Sequence, residues 1–146
     1  MIAGARYLQA GVLVANLAGL GVAVYLTFVH FSAARLVCSA AGAVDCERVL
    51  GSGYAVIGGS GVPTSAAGIA WFGVGAVLAA AVWARPSVAS LRRAQIAWSA
   101  AGLLTVIYLV FVEIVQLGAI CLWCSAAHVL VVVIFLLTVT VRPTEA

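Results

Sequence analysis

Charge is scarce in this sequence of 146 residues: only 8% are Asp, Glu, Lys or Arg, while 66% are hydrophobic and the mean hydropathy is +1.25. A soluble domain of this length leaves much of its surface in water, so membrane lipid is the expected solvent. No hydrophilic stretch is long enough to fold separately, which predicts one membrane domain over residues 1–146. The net charge of +3 comes without a basic cluster, which argues against a nucleic-acid partner.

Uncharged runs divide the chain into four candidate membrane spans. A bilayer core takes ~20 helical residues, and only helices satisfy their own backbone in lipid. The expected helices cover residues 7–29, 63–84, 94–117 and 121–141. The sequence therefore predicts an all-α membrane four-helix bundle with a long outer loop, residues 30–62, between the first and second helices. A cleaved signal peptide is the alternative for the first span, although its apolar part exceeds the ~7–15 residues usual in such segments.

Basic residues are unevenly distributed among the connections. With four spans, the N-terminus, the second connection and the C-terminus share one side, which holds five of the seven arginines: Arg6, Arg85, Arg92, Arg93 and Arg142. The other side holds Arg35 and Arg48. The positive-inside rule then predicts a multi-pass membrane protein with both termini in the cytoplasm. Trp83 and Trp98 are expected in an interfacial belt near the cytoplasmic helix ends.

Only four cysteines occur, and this orientation puts all of them on or near the outer, oxidising face. Cys38 and Cys46 lie in the outer loop, and Cys121 and Cys124 form a CxxC pair at the start of the fourth helix. Inert thiols or structural disulfides are one interpretation. However, the i and i+3 positions of the CxxC pair at a helix N-terminus favour accessible, stabilised thiolates.

Two further interpretations give the cysteines a chemical role. A zinc site, formed by all four or by the CxxC pair with His128, usually needs two close pairs, and an oxidising face opposes free thiolate ligands. Thiol–disulfide exchange needs an attacking thiolate, an accessible sulfur and a resolving partner, which two outer pairs provide. The sequence therefore favours redox chemistry without a metal.

The outer loop has two recognisable parts. Asp45 is expected to cap a short helix, CERVL, which Gly51 ends. The following lid segment, residues 51–63, is rich in glycine yet apolar around Tyr54. It is expected to lie on the membrane surface, and a poorly ordered linker is the alternative.

The order and spacing of these motifs resemble the vitamin K epoxide reductase family in its bacterial single-domain form. The shared pattern is a first helix, a loop with C-x7-C, and a CxxC that opens the fourth helix. CERVLGS is similar to the family's loop segment, and AICLWC to the entry of its active site. DsbB-type oxidoreductases resemble the chain less, because their CxxC lies in the first outer loop and their wider pair in the second.

The resemblance implies a membrane thiol–disulfide oxidoreductase that reoxidises a periplasmic thioredoxin-fold (DsbA-like) partner and reduces a membrane quinone, menaquinone or ubiquinone. Cys38 matches the cysteine that exchanges with the partner, and Cys46 the one that relays electrons to Cys121. Cys124 matches the thiolate that faces the quinone, and Ser52 a serine that supports the loop and pocket.

Two positions depart from the vertebrate pattern. His128 stands where vertebrate members carry a Tyr, and Thr64 where they carry an Asn, so the resemblance implies quinone reduction more directly than epoxide reduction. The expected quinone contacts are Ser52, Tyr54, Thr64, Glu113 and His128. The alternatives are a vitamin K quinone or epoxide reductase, or a non-enzymatic four-helix scaffold with structural disulfides.

Two of these contacts are titratable residues within the predicted spans. His128, one turn beyond Cys124, suits a hydrogen-bond donor or proton source; otherwise it is a packed polar residue bonded to a neighbouring helix. Glu113 either provides a proton route to the quinone or only bonds a hydroxyl or backbone group.

Overall fold

The computed structural model describes residues 3–32, 38 and 42–141. Four long helices make up most of this part, namely α1 (Ala3–Ser32), α3 (Thr64–Ala84), α4 (Ala89–Phe111) and α5 (Leu122–Thr140), with the short α2 (Cys46–Leu50) between α1 and α3. Within the described residues, four spans are long and apolar enough to cross a membrane. The predicted all-α membrane bundle is therefore confirmed, and the protein is a multi-pass membrane protein.

Two of the long helices, α1 and α4, extend beyond the uncharged runs from which they were predicted. α1 adds residues at both ends of the expected 7–29, and α4 begins at Ala89 instead of residue 94. A charge ends a hydrophobic run but not a helix, because the backbone hydrogen bonds continue whatever the side chain is. Arg92, in the added turn of α4, donates to the carbonyl oxygen of Val141 at the end of α5.

The four long helices form a closed ring in the order α1, α3, α4, α5. Small and polar side chains hold them together, as is usual where lipid supplies no hydrophobic drive between helices. Buried Gln9 of α1, for example, donates through Nε2 to the carbonyl oxygen of Ala79 on α3 at 2.9 Å. The core between the helices includes Val12, Ala15, Phe72, Val106, Val131 and Ile134.

Arg6 and Trp83 meet where α1 begins and α3 ends, with the guanidinium carbon 5.9 Å from the ring centroid. Two of the arginines used to orient the chain, Arg35 and Arg142, lie outside the described residues. The cytoplasmic position of the termini therefore stays a prediction.

The outer loop begins its return to the bundle with α2. The carboxylate of Asp45 accepts the backbone N–H of Arg48 at 2.9 Å, and Gly51 ends the helix. Both ends of CERVL are therefore as predicted, because capping is decided by residues within the segment itself.

The lid segment is folded back onto the start of α3. Gly53–Ala55 form a 3-10 turn, and Val56 pairs with Pro63 in an isolated antiparallel bridge. The hydroxyl of Thr64 donates to the carbonyl oxygen of Tyr54 at 3.1 Å. This packing favours the lid interpretation over the poorly ordered linker.

The third membrane span ends in a π-helical turn, Val112–Leu117, where a regular α-helix was predicted. It stops at Gly118, whose φ of 58° is left-handed and suits a residue without a Cβ. The carbonyl oxygen of Glu113 accepts the N–H groups of both Gly118 and Ala119. π-turns inside helices occur frequently at functional sites, and this one directs the chain toward the CxxC pair.

Candidate active site

A two-residue bridge joins the outer loop to the approach of α5. Val44 and Ile120 pair in parallel. The N–H of Ile120 donates to the carbonyl oxygen of Ala43 at 2.8 Å, and the N–H of Asp45 donates to the carbonyl oxygen of Ile120 at 3.1 Å. The loop cysteine pair is distant in sequence from the CxxC pair, yet this bridge ends directly before Cys46 and Cys121.

The four cysteines lie in one cluster at this point. Cys46 and Cys121 are buried together with neighbouring apolar residues, and Cys38 and Cys124 pack against them. Cys38 and Cys46 form a disulfide with their Cα atoms 6.3 Å apart, and Cys121 and Cys124 are free thiols. The two pairs are thus neighbours in space, which thiol–disulfide exchange between them requires.

Cys121 departs from the expectation of an accessible thiol on the helix. It lies before α5 as the N-cap, in an extended conformation, and its Sγ accepts the N–H of Cys124 at 3.2 Å. Its side chain is 0% exposed and packs in a cluster with Cys46, Val49 and Ala119. The expectation of accessibility is therefore wrong for Cys121, whereas Cys124 is only partly buried.

Hydrogen bonding from the Cys124 side chain lowers the pKa of Cys121 below its usual range. Burial and the charge of Glu113 oppose this shift, and backbone N–H groups at the start of α5 support it. A thiolate is the form that attacks disulfides, so this position favours the reactive form of Cys121.

A cavity of about 450 Å³ lies between the lid segment and the helices. Of the four cysteines, only Cys124 lines it. All five residues that the sequence suggested as quinone contacts also line it: Ser52, Tyr54, Thr64, Glu113 and His128. The structure therefore brings these residues together beside the CxxC pair.

Two of the three hydroxyl groups among these residues, those of Ser52 and Thr64, already donate hydrogen bonds. Ser52 donates through Oγ to the carbonyl oxygen of Val49 at 2.7 Å, and Thr64 donates to that of Tyr54. A hydroxyl has one proton to donate, so in this arrangement neither Ser52 nor Thr64 donates to a ligand. They hold α2 and the lid segment in place around the cavity.

Glu113 projects from the π-turn and is 6% exposed. Its Oε2 accepts the backbone N–H of Cys121 at 3.3 Å, so it bonds a backbone group while also lining the cavity. His128 lies one turn beyond Cys124, and no described residue hydrogen-bonds its imidazole. Glu113 and His128 are thus the polar groups best placed for a ligand in the cavity.

Two stacked tryptophans line the cavity on the α3 and α4 side. Their ring centroids are 6.4 Å apart with planes 12° from parallel, and Nε1 of Trp98 donates to the carbonyl oxygen of Trp71 at 3.1 Å. The predicted interfacial role of Trp98 is therefore wrong. His30 at the end of α1 also lines the cavity.

The close approach of Trp71 to α4 depends on Gly102. A Cβ added at Gly102 would lie 2.1 Å from Cζ2 of Trp71, far inside contact distance. No pattern in the sequence separates this glycine from its many neighbours.

Within the described ranges, no three His, Cys, Asp or Glu side chains converge as metal ligands.

Comparison with family sequence models gives a match to the vitamin K epoxide reductase family over residues 11–139. The chain belongs to the vitamin K epoxide reductase family. A search of curated proteins finds no significant match. Membership makes this protein a membrane thiol–disulfide oxidoreductase, from a family that generally uses quinones.

Proposed function

We propose that this member of the vitamin K epoxide reductase family reoxidises a thioredoxin-fold (DsbA-like) protein and passes the electrons to a membrane quinone, menaquinone or ubiquinone. The observation that carries the proposal is the cluster in which both cysteine pairs pack together and only Cys124 reaches the cavity. This arrangement supports a path from the loop pair through the CxxC pair to a ligand.

The exchange steps follow from which sulfurs are neighbours. A thiolate of the partner attacks Cys38 and breaks the Cys38–Cys46 bond, which frees Cys46. Cys46 then attacks Cys121 in the oxidised CxxC pair and frees Cys124. The partner's second thiol attacks the mixed disulfide and releases Cys38. Cys38 then attacks Cys46 in the Cys46–Cys121 bond, which frees Cys121 and forms the loop disulfide again. Two electrons have then moved from the partner to the CxxC pair.

The cavity fits a quinone in size and chemistry. Its volume of about 450 Å³ lies within the roughly 300–1,000 Å³ typical of small-molecule sites. Its walls are mostly apolar, and Glu113 and His128 are among the few polar groups that line it. A bound quinone supplies the acceptor for the two electrons. Exposed residues of α3 and α4 also line the cavity and give a lipid-soluble ligand a route from the membrane: Ala67, Ala70, Val74 and Thr105.

We further propose that residues 1–146 act as a single domain in the inner (plasma) membrane, with cytoplasmic termini and outward-facing cysteines. The family match over residues 11–139 supports one domain. The arginine distribution supports the orientation.

Quinol formation by the purified protein, with a reduced thioredoxin-fold protein as electron donor, tests the proposal. Cys124→Ala is expected to abolish quinol formation, because no other cysteine reaches the cavity. Cys46→Ser is expected to abolish electron transfer from the protein donor, because Cys38 alone offers no disulfide for the partner's thiolate to attack. Ser125→Ala is the matched control, as it changes the residue beside Cys124 without removing a thiol.

Two results would contradict the proposal. Full activity of Cys38→Ser with the protein partner would show that electrons enter elsewhere. An unchanged count of free thiols in the reduced wild type after a soluble quinone is added would instead indicate a scaffold with structural disulfides.

A further inference from the structure

The proton of Cys121 has no direct way into the cavity. Oxidation of the CxxC pair releases two electrons and two protons, and reduction of a quinone to a quinol takes up both. Cys124 lines the cavity and faces the ligand directly. Cys121 is 0% exposed and does not line the cavity, so its proton needs a carrier.

Glu113 is in the position of such a carrier. Its Oε2 lies 3.3 Å from the backbone N of Cys121, and its side chain also lines the cavity. The π-turn thus holds this carboxyl group beside both the backbone of Cys121 and the space for the ligand. Buried ionisable groups in membrane spans are costly and commonly functional.

We propose that Glu113 takes the proton of the Cys121 thiol and delivers it to the quinone oxygen in the cavity. This inference rests on the proposed quinone reduction. Cys121 Sγ loses its proton to the Glu113 carboxylate and bonds Cys124 Sγ as the electron pair passes to the quinone. The protonated carboxyl then gives its proton to a quinone oxygen, and Cys124 supplies the second proton. Glu113 ends as a carboxylate, so atoms and charges balance.

Other titratable groups face the same cavity from the elements around Glu113. α5 contributes Cys124 and His128, α1 contributes His30, and the lid segment contributes Tyr54. The described cavity residues of α3 and α2 include no titratable side chain. Of the acids and imidazoles among these groups, only Glu113 is hydrogen-bonded to Cys121.

Glu113→Gln tests the proposal, because an amide oxygen still accepts the N–H of Cys121 but an amide carries no proton between two groups. We expect kcat for quinol formation to fall about 100-fold, the lower end of what acid–base catalysis contributes, with KM unchanged. Glu113→Asp keeps an acid and is expected to retain more turnover than Gln. Glu47→Gln is the matched control: Glu47 is exposed on α2 beside Cys46, away from the cavity.

A titration without quinone provides a second, independent measurement. The ultraviolet absorbance of thiolates is followed against pH in a Cys38→Ser/Cys46→Ser background, where only the CxxC pair titrates. The hydrogen bond from Cys124 lowers the pKa of Cys121, and the Glu113 charge opposes it. Glu113→Gln removes that charge, so we expect the thiolate to form at lower pH in this variant, although its quinone reduction is slower.

Each contrary result has a distinct meaning. An unchanged kcat, or a raised KM with kcat unchanged, would show that Glu113 only bonds the backbone or the ligand. A lower kcat without the shift in thiolate formation would indicate a structural disturbance, as would an equal loss in Glu47→Gln; either overturns the inference. Absence of quinol formation by the wild type would overturn the proposed function as well.

Discussion

Replacing Gly102 by alanine is expected to push the Trp71 ring into the cavity. The new Cβ would lie 2.1 Å from Cζ2 and 2.6 Å from Cε2 of Trp71. The ring must therefore retreat by roughly 1.3 Å to reach ordinary contact distance. Trp71 lines the cavity, so we expect its displacement to take volume from the ligand and to disturb the stack with Trp98.

The size of the effect follows from the cost of overpacking, which is about 1–3 kcal/mol in a well-packed site. If the cost appears in binding, quinone affinity falls on the order of 10-fold for each 1.4 kcal/mol. Quenching of tryptophan fluorescence by a short-chain quinone measures Kd, and quinol formation gives KM. We expect both constants to rise while kcat changes little, because the cysteines are untouched.

Gly73→Ala is the matched control, since a Cβ at Gly73 meets nothing within 4 Å. Alanine within a helix is otherwise stabilising by roughly 0.5–1 kcal/mol relative to glycine. Trp71→Phe combined with Gly102→Ala is expected to recover part of the affinity, because the smaller ring leaves room for the methyl group. An unchanged Kd in folded Gly102→Ala would refute the reasoning, since the ring would then have moved away from the ligand.

Two further predictions concern the ligand and the membrane. His128→Ala is expected to weaken quinone binding by about one hydrogen bond, on the order of 1 kcal/mol. His128→Tyr is expected to keep most of the activity. An unchanged KM for His128→Ala would show that another residue makes the polar contact with the quinone. Reporter fusions after Arg92 and after Gly53 are expected to report opposite compartments, and a cytoplasmic signal at Gly53 would place the cysteines on the reducing side.

Hydropathy and local capping chemistry were sufficient to predict the bundle and its short outer helix. The four spans follow from runs of apolar residues, which are a local property of the chain. Asp45 and Gly51 likewise act within the segment they delimit. The family assignment depended on the order of the two cysteine pairs, which is also visible without a structure.

The surroundings of the candidate site depend on contacts between distant segments and were not predictable in the same way. Trp98 was placed at an interface because charged residues lie a few positions before it. α4 actually begins at Ala89, which puts Trp98 roughly 13 Å along the helix, at the level of Trp71. The burial of Cys121 depends on its packing against Cys46 and Val49 of the outer loop, and this contact has no signature in the sequence around Cys121.

The bridge between Val44 and Ile120 consists of backbone atoms alone. Side chains at these positions are consequently free to vary among relatives without separating the two cysteine pairs. Proline is the exception at Asp45 and Ile120, because it removes the N–H groups that form the bridge. The distance between Cys46 and Cys121 is thus protected against most single substitutions, and sequences with little similarity in the outer loop can retain the same route for electrons.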